Sequence, residues 1–324
     1  QLDWNPVTNH WPLTNLMQLE RVSLAGNGVT NLDFTQFMPA LRHLGLYCDQ
    51  VKDLSPLAGR TELLSLGLGW NGVTNLAVLA TLTGLEELLL NGNPLTNVVY
   101  LAGLTNLTSL ALDYTELVDM SPVTNLTRLA WLNVGETGLA DLPDLSSLTN
   151  LHTFMMAGNQ IGDLSPVTNL TALTQLHAQR NRFTTIAPLA DCPLLEWLLL
   201  GGNSLTNVEP LADLTNLMGL ALDYTGLVDV PPVTNVRELD LRGNRLTDLS
   251  GLTNCPHLWR LSLQENYLTE IGPLLDCPAL GYVNLKQNPL DLSLGSPAWN
   301  VISNLLARGV QVEPGAPQPP ILLS

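Results

Sequence analysis

LTSLALDYTELVDMSPVTN, residues 107–125, decides the architecture: it carries the pattern LxxLxLxxNxL, with Leu107, Leu110, Leu112 and Leu117 at the apolar places and Thr115 standing in for asparagine. Within it, alternation sends every second side chain to one face, as an extended strand requires. LEWLLLGGNSLTNVEPLADLTN, residues 195–216, repeats the pattern with Leu195, Leu198, Leu200, Asn203 and Leu205. Working outward, the second strand leucine or its substitute recurs at Leu24, Leu46, Leu68, Leu90, Leu112, Val134, Met156, Ala178, Leu200, Leu222, Leu241, Leu263 and Leu285. Each step is 22 residues except Leu222 to Leu241, which is 19. A period of this length means stacked units, because one unit cannot bury its own leucines while a stack can.

These residues resemble the leucine-rich-repeat superfamily over roughly residues 2–312. The 22-residue length and the LTNL…SPL phrasing are similar to the subclass shared by bacterial internalins and a eukaryotic phosphatase regulator. The resemblance implies an α/β repeat solenoid: a curved horseshoe with a parallel β-sheet on the concave face and short 3₁₀ or α returns on the convex face. It also implies that the asparagine after each strand, as at Asn27, Asn71 and Asn93, hydrogen-bonds the turning backbone of neighbouring units. Asp49, Thr115, Thr137 and Thr225 replace it with other polar groups.

Ser55-Pro56, Ser121-Pro122 and Ser165-Pro166 read as an N-cap followed by proline at the first helical position of the return. Residues 1–290 are expected to be the repeat array, thirteen strands plus a partial N-terminal unit. Residues 291–312 are expected to be a helical cap, with Ser296 before Pro297, an apolar stripe of Val301, Ile302, Leu305 and Leu306, and Gly309 at the end. Residues 313–324 read as a proline-rich tail or linker. At the other end Leu2, Asn5 and Val7 are in register with Leu24, Asn27 and Val29, so the first residues fall inside a repeat; either more chain precedes them or Trp4 and Trp11 act as a lid. A longer period is superimposed: LALDYTELVDMSPVTN (110–125) matches LALDYTGLVDVPPVTN (220–235), which places Asp113-Tyr114 and Asp223-Tyr224 in equivalent settings.

Strand positions that point away from the leucines should face water. Trp131, Met155, His177, Trp197 and Leu199 stand there on four consecutive repeats, flanked by Tyr114 and Tyr224. Large, partly apolar groups on an open face mark interaction sites, and Trp and Tyr are common energetic anchors. The competing reading is that they merely cover neighbouring aliphatics. Further along the same face the charges Arg237, Glu238, Asp240, Arg242, Arg260, Glu265 and Lys286 have interspersed signs, which reads as a self-satisfied network rather than a docking zone.

The net charge of −16, from 29 acidic and 13 basic groups, argues against nucleic acid, whose binding needs a basic face. Asp119, Asp141 and Asp163 occupy one place in three successive units, a candidate carboxylate row for calcium, although local hydrogen bonding is the commoner role. Cys192, Cys255 and Cys277 replace leucines and should be buried, with a Cys255–Cys277 disulfide within the geometry of adjacent units; Cys48 should be an exposed thiol. The five histidines have no metal-ligand spacing, and no nucleophile or phosphate-binding motif is present. The expectation is therefore a non-enzymatic, cofactor-free, monomeric module without a membrane span. It binds a protein, with a glycan as second choice, and belongs to a bacterial surface or secreted protein. An intracellular regulatory scaffold in the cytoplasm and a purely architectural spacer are the alternatives.

Overall fold

A strand of three residues buries nothing alone, so the core of this chain exists only between repeats. The computed structural model describes residues 2–5, 7 and 9–315. The chain forms two units, residues 1–173 and 174–324. In unit 1 the strands are β1 (Arg21–Ser23), β2 (His43–Gly45), β3 (Ser65–Gly67), β4 (Glu87–Leu89), β5 (Ser109–Ala111), β6 (Trp131–Asn133) and β7 (Thr153–Met155). In unit 2 they are β8 (Gln175–His177), β9 (Trp197–Leu199), β10 (Gly219–Ala221), β11 (Glu238–Asp240), β12 (Arg260–Ser262), β13 (Tyr282–Asn284) and β14 (Gln311–Glu313). Within each unit every strand pairs in parallel with the next in chain order, position for position, as Leu88 with Leu110 and Leu220 with Leu239. Returns stack on returns in the same sequence. This is the leucine-rich-repeat solenoid architecture.

The middle residue of each strand from β1 to β13 is buried, and its neighbours are more open except at Ala111 and Gly219. Leu66, Leu88, Leu110 and Leu132 are fully buried in unit 1, and Leu176, Leu198 and Leu261 in unit 2. Burying one such leucine stabilises by about 1.5–3 kcal/mol relative to exposure. Phe154 takes the same place as Leu132 one repeat later and is also fully buried.

The turn after each strand is held by the asparagine ladder. Asn93 Nδ2 donates to Leu68 O at 2.9 Å, one repeat back, and to Leu90 O at 2.8 Å in its own repeat. Its Oδ1 accepts from Asn71 N at 3.2 Å and Val73 N at 2.8 Å. One amide thus satisfies backbone groups that a buried turn leaves without water. Thr137 keeps part of this role, donating to Val134 O at 2.9 Å and Asn159 Oδ1 at 2.9 Å. Asp49 accepts from Asn27 N and Val29 N, but it has no amide to donate and its Oδ2 is buried without a partner.

The returns are almost all 3₁₀ helices, and their caps differ from the expected ones. Ser55, Ser121 and Ser165 are the first helical residues, not caps. The capping group is the aspartate two residues earlier: Asp53 Oδ1 accepts from Ser55 N at 2.8 Å, Asp119 Oδ1 from Ser121 N at 2.8 Å, and Asp163 Oδ1 from Ser165 N at 2.8 Å. Asp144, Asp248 and Asp291 do the same for Ser146, Ser250 and Ser293. These serine hydrogen bonds hold all six carboxyls below their ordinary value of 3.8. A carboxyl whose pKa is depressed by folding stabilises above its unfolded value and loses that contribution as pH falls through the folded one. The contribution of these six carboxyls is therefore expected to be constant from pH 7 down to about 4.5 and to be lost below about pH 4. Asp53→Asn/Asp119→Asn/Asp163→Asn should make that acid drop shallower, read from urea midpoints across pH; an unchanged slope would refute the capping role.

The same geometry corrects the carboxylate row. Asp119 and Asp163 turn onto their own serines, and between them Asp144 rather than Asp141 plays that part. Among the described residues no group of three metal-ligating side chains converges. Arg60 occupies a position that leucine holds in neighbouring repeats, and it is buried. Its guanidinium donates to the carbonyls of Thr35 and Met38 in the preceding return and lies 3.2 Å from Glu62. All four cysteines are free; Cys192, Cys255 and Cys277 are buried and Cys48 is exposed, so the Cys255–Cys277 disulfide is absent. Burial pushes the Cys192 and Cys255 thiols up to about 11.

The 19-residue repeat lacks its helical return, yet β10 and β11 pair without a slip. The missing residues are taken wholly from the loop, because a one-residue slip would turn the leucines outward. After β13 the chain forms α1 (Pro297–Ala307). Ser296 accepts from Trp299 N at 3.2 Å and Gly309 ends the helix at φ +83°. Ala298, Val301, Ile302 and Leu305 are its buried residues; Leu306, expected in the stripe, is 55% exposed. Gln311–Glu313 then adds β14 beside β13, a strand the repeat spacing did not announce. Residues 316–324 of the expected tail lie outside the described residues. At the other end Leu2 N and Trp4 N bond Ser23 O and Ala25 O. Trp4 and Trp11, 68% and 56% exposed, lie against Gly26 and the Phe37 ring respectively.

Candidate functional site

The first and third residues of most strands flank the buried middle residue and stay partly open, Ala111 and Gly219 being exceptions. In unit 1, Trp131 of β6 and Met155 of β7 are both half-buried. Neither is turned into the core, which Leu132 and Phe154 fill. Tyr114 follows β5 in the left-handed region (φ 54°) and is exposed. Its ring lies 5.9 Å from that of Trp70.

In unit 2, Trp197 and Leu199 of β9 are half-buried on the open face of the sheet, and His177 of β8 stands beside Leu199 in register. Burial lowers the His177 pKa, so its imidazole is neutral at pH 7. Trp197 lies flat over the next strand: a β-carbon at Gly219 would come within 2.2 Å of its ring. Only glycine permits this placement. Trp197 and Leu199 form one wall of a depression of about 280 Å³, whose other side carries Glu238, Asp240, Arg242, Arg260, Gln264 and Tyr282. His177 does not line it. Tyr224 does not line it either; it is exposed, with its hydroxyl donating to Glu265 Oε2 at 2.9 Å. The seven candidate residues therefore divide: Tyr114, Trp131 and Met155 belong to unit 1, and His177, Trp197, Leu199 and Tyr224 to unit 2.

The charges around the depression are mostly matched. Arg242 Nη2 is 3.3 Å from Asp223 Oδ2 and 3.7 Å from Asp240 Oδ2, and its guanidinium sits 5.6 Å from the Tyr224 ring centre. Burial nonetheless raises the Asp240 carboxyl, with Arg242 only partly offsetting it. Lys286 pairs with Glu313 at 2.7 Å. Arg260 has no carboxylate within ion-pair distance among the described residues and rests 4.8 Å from the Tyr282 ring centre, though its charge still acts on Asp240 and Glu313. Arg242 Nε and Gln264 Oε1 are buried without partners. A mixed wall of this kind, aromatic and aliphatic on one side and polar with spare hydrogen-bonding capacity on the other, suits a peptide surface better than a small apolar molecule.

The candidate set read from the sequence left out Asp223, Gln264, Tyr282 and Trp70. For Trp70 the signal was present in the position before each recurring turn residue, which has positive φ throughout: Trp4, Trp70, Tyr114, Glu136, Arg180 and Tyr224 among the larger residues, glycine at Gly26, Gly92, Gly158, Gly202 and Gly243. Each of these glycines lies one repeat after a long side chain that reaches over it, as Trp70 reaches over Gly92 and Tyr224 over Gly243.

The Leucine Rich Repeat family model matches residues 235–255. No curated protein sequence matches the chain. Among solved structures it is similar to an internalin (inlF) of Listeria monocytogenes, at 29% identity and a TM-score of 0.74 over 92% of this chain and 80% of that one. It is also similar to an LRR protein of Leptospira interrogans, at 23% identity and a TM-score of 0.78 over 93% and 85%. A plant peptide hormone receptor, solved in complex with a peptide hormone named RGF2, matches at 21% identity and a TM-score of 0.67 over 86% and 49%. Among the described residues no helix is long and apolar enough to cross a membrane.

Proposed function

Because the chain belongs to the leucine-rich-repeat superfamily, whose frame leaves the strand face free, we propose that it is a non-catalytic module binding a protein on that face, within a bacterial surface or secreted protein. The observation that carries this reading is Trp197: a large ring spread over Gly219 on an open sheet face, next to Leu199, opposite polar groups with unused hydrogen-bonding capacity. Trp131 and Met155 give unit 1 a similar apolar patch. Aromatic residues set among polar ones, partly sheltered before binding, are where binding energy concentrates. The bacterial surface placement is supported by the likeness to an internalin at 29% identity. The division into an array over 1–290 and a cap over 291–312 belongs to the same proposal, since α1 and β14 follow the last repeat.

A screen of cell-surface ectodomains by surface plasmon resonance supplies the partner, and variants then locate the contact. Trp197→Ala should weaken an identified complex by about 2 kcal/mol, roughly 30-fold, with an unchanged circular dichroism spectrum. An unaltered dissociation constant would remove Trp197 from the interface.

The four free cysteines favour a second reading, an intracellular regulatory scaffold, since reduced thiols suit a reducing compartment. In either case Cys48 alone should react with a thiol reagent in the native protein, the other three being shielded. Reaction of more than one thiol before unfolding would contradict their burial. The compartment itself is decided by labelling intact cells with a membrane-impermeant reagent.

A further inference from the structure

The first residues of five successive strands in unit 2 form one row across the open face: Trp197, Gly219, Glu238, Arg260 and Tyr282, each in register with the next. Two long side chains of this row lie along it, toward the following repeat. The Trp197 ring covers Gly219, where a β-carbon would come within 2.2 Å of it, and so extends toward Glu238. The Arg260 guanidinium rests 4.8 Å from the ring centre of Tyr282, on the strand that lies beyond it from Glu238. Within the row, Trp197 and Glu238 are therefore separated by a residue without a side chain, and both border the depression of about 280 Å³. Among the described residues the Glu238 carboxylate has no hydrogen-bond or ion-pair partner.

The charge left over around this depression is negative. Arg242 is shared by Asp223 and Asp240, and Lys286 is taken by Glu313. The Glu265 carboxylate receives the neutral Tyr224 hydroxyl. That leaves Glu238 and Glu265 against Arg260, whose charge already acts on Asp240 and Glu313. An anionic ligand would meet this surplus of carboxylates. An apolar one would take water from Glu238 and give it no partner, which is costly. A cation gains from the face of the indole and from the carboxylate together.

We propose that Trp197 and Glu238 together receive an arginine side chain of the partner, laid on the open side of the indole with its N–H groups on the Glu238 carboxylate. A guanidinium is favoured over an ammonium because its plane matches the ring and its fork of donors matches the carboxylate. Gly219 makes the arrangement possible: it lets the ring lie flat and so brings an aromatic face toward a carboxylate two strands away. The chain's net charge of −16 draws a basic segment in. This inference rests on the protein-binding reading above and names the chemistry of one contact, but its test needs no protein partner, so either can fail alone.

The test is an NMR titration of the whole chain with N-acetylarginine methylamide, read from the Trp197 indole N–H and the Gly219 backbone N–H. N-acetylcitrulline methylamide, of the same shape and neutral, is the control. A saturable shift with arginine that is at least about tenfold weaker with citrulline is expected. Glu238→Gln should weaken arginine binding by about tenfold or more, with the spectrum away from the site unchanged, since the carboxylate holds nothing within the chain. Arg260→Gln should strengthen it by about threefold, because the one cation in the row is removed. No saturable shift in the unaltered protein, an equal response to citrulline, or an affinity retained in Glu238→Gln would overturn the proposal. Loss of the response in Arg260→Gln would overturn it as well, by placing the probe on that residue instead.

Discussion

Asn93→Ala is expected to lower the unfolding free energy by about 3–5 kcal/mol, because two buried N–H groups and the carbonyls opposite them lose their partner at a cost of roughly 1–3 kcal/mol per unsatisfied group. The groups are Asn71 N and Val73 N, which Oδ1 accepts, and Leu68 O and Leu90 O, to which Nδ2 donates. Asn93 is 1% exposed, so water cannot replace it. Asn93→Thr should cost about half as much, since a hydroxyl can keep the bond within its own repeat. Thr115 shows that bond, donating to Leu112 O at 2.7 Å, and the N–H of Leu95 before it turns to Asn93 O instead. Urea unfolding of the three proteins checks the order; equal midpoints for alanine and asparagine would mean that the ladder contributes nothing.

Phe154→Ala should be as damaging, by about 3–5 kcal/mol, through a cavity that its surroundings close only in part. Phe154 is fully buried and pairs with Leu132 in a column where the other members in unit 1 are mostly leucine. Phe154→Leu is therefore expected to cost under about 1.5 kcal/mol, as a swap toward the column's own shape. If leucine and alanine destabilise alike, the column is set by ring packing and not by volume.

The fold was legible because it depends on residues with a fixed period. Leu110, Leu112 and their equivalents must face inward in every repeat, so each reports the same constraint and the reports agree. What lay outside the period was not legible in the same way. Arg60 occupies a leucine place and is buried because the Thr35 and Met38 carbonyls receive its guanidinium, a condition set 25 and 22 residues upstream. The serine at the start of each return looked like a cap because proline follows it, yet the hydrogen bond comes from the aspartate two positions earlier. β14 was missed because Gln311–Glu313 follows a helix and not a repeat.

The candidate site was legible in outline. Trp131, Met155, Trp197 and Leu199 are half-buried on the strand face, since alternation alone decides that. The side chains that share the depression with Trp197 were not apparent, because Arg242 and Gln264 reach it from the second position after the strand, where side-chain direction depends on the turn. The charged residues were read as a network satisfied among themselves; the ion pairs of Arg242 and Lys286 agree with that, and Arg260 joins it through its charge on Asp240 and Glu313 without a direct ion pair.

The pairing of long residues with glycines one repeat later bears on how such a chain can lengthen. Trp70 needs Gly92 and Tyr224 needs Gly243, since a β-carbon there would strike the ring. A recombination crossover between the members of such a pair would set an aromatic plane against a methyl group and yield a misfitting hybrid. Crossovers that carry both members together would pass, so the viable increments of growth are blocks of coupled repeats. The copied segment 88–125 and 198–235 is not closed in this way: its glycines Gly92 and Gly202 lie under Trp70 and Arg180, which precede the segment, so each copy fits only behind a repeat that supplies a long residue.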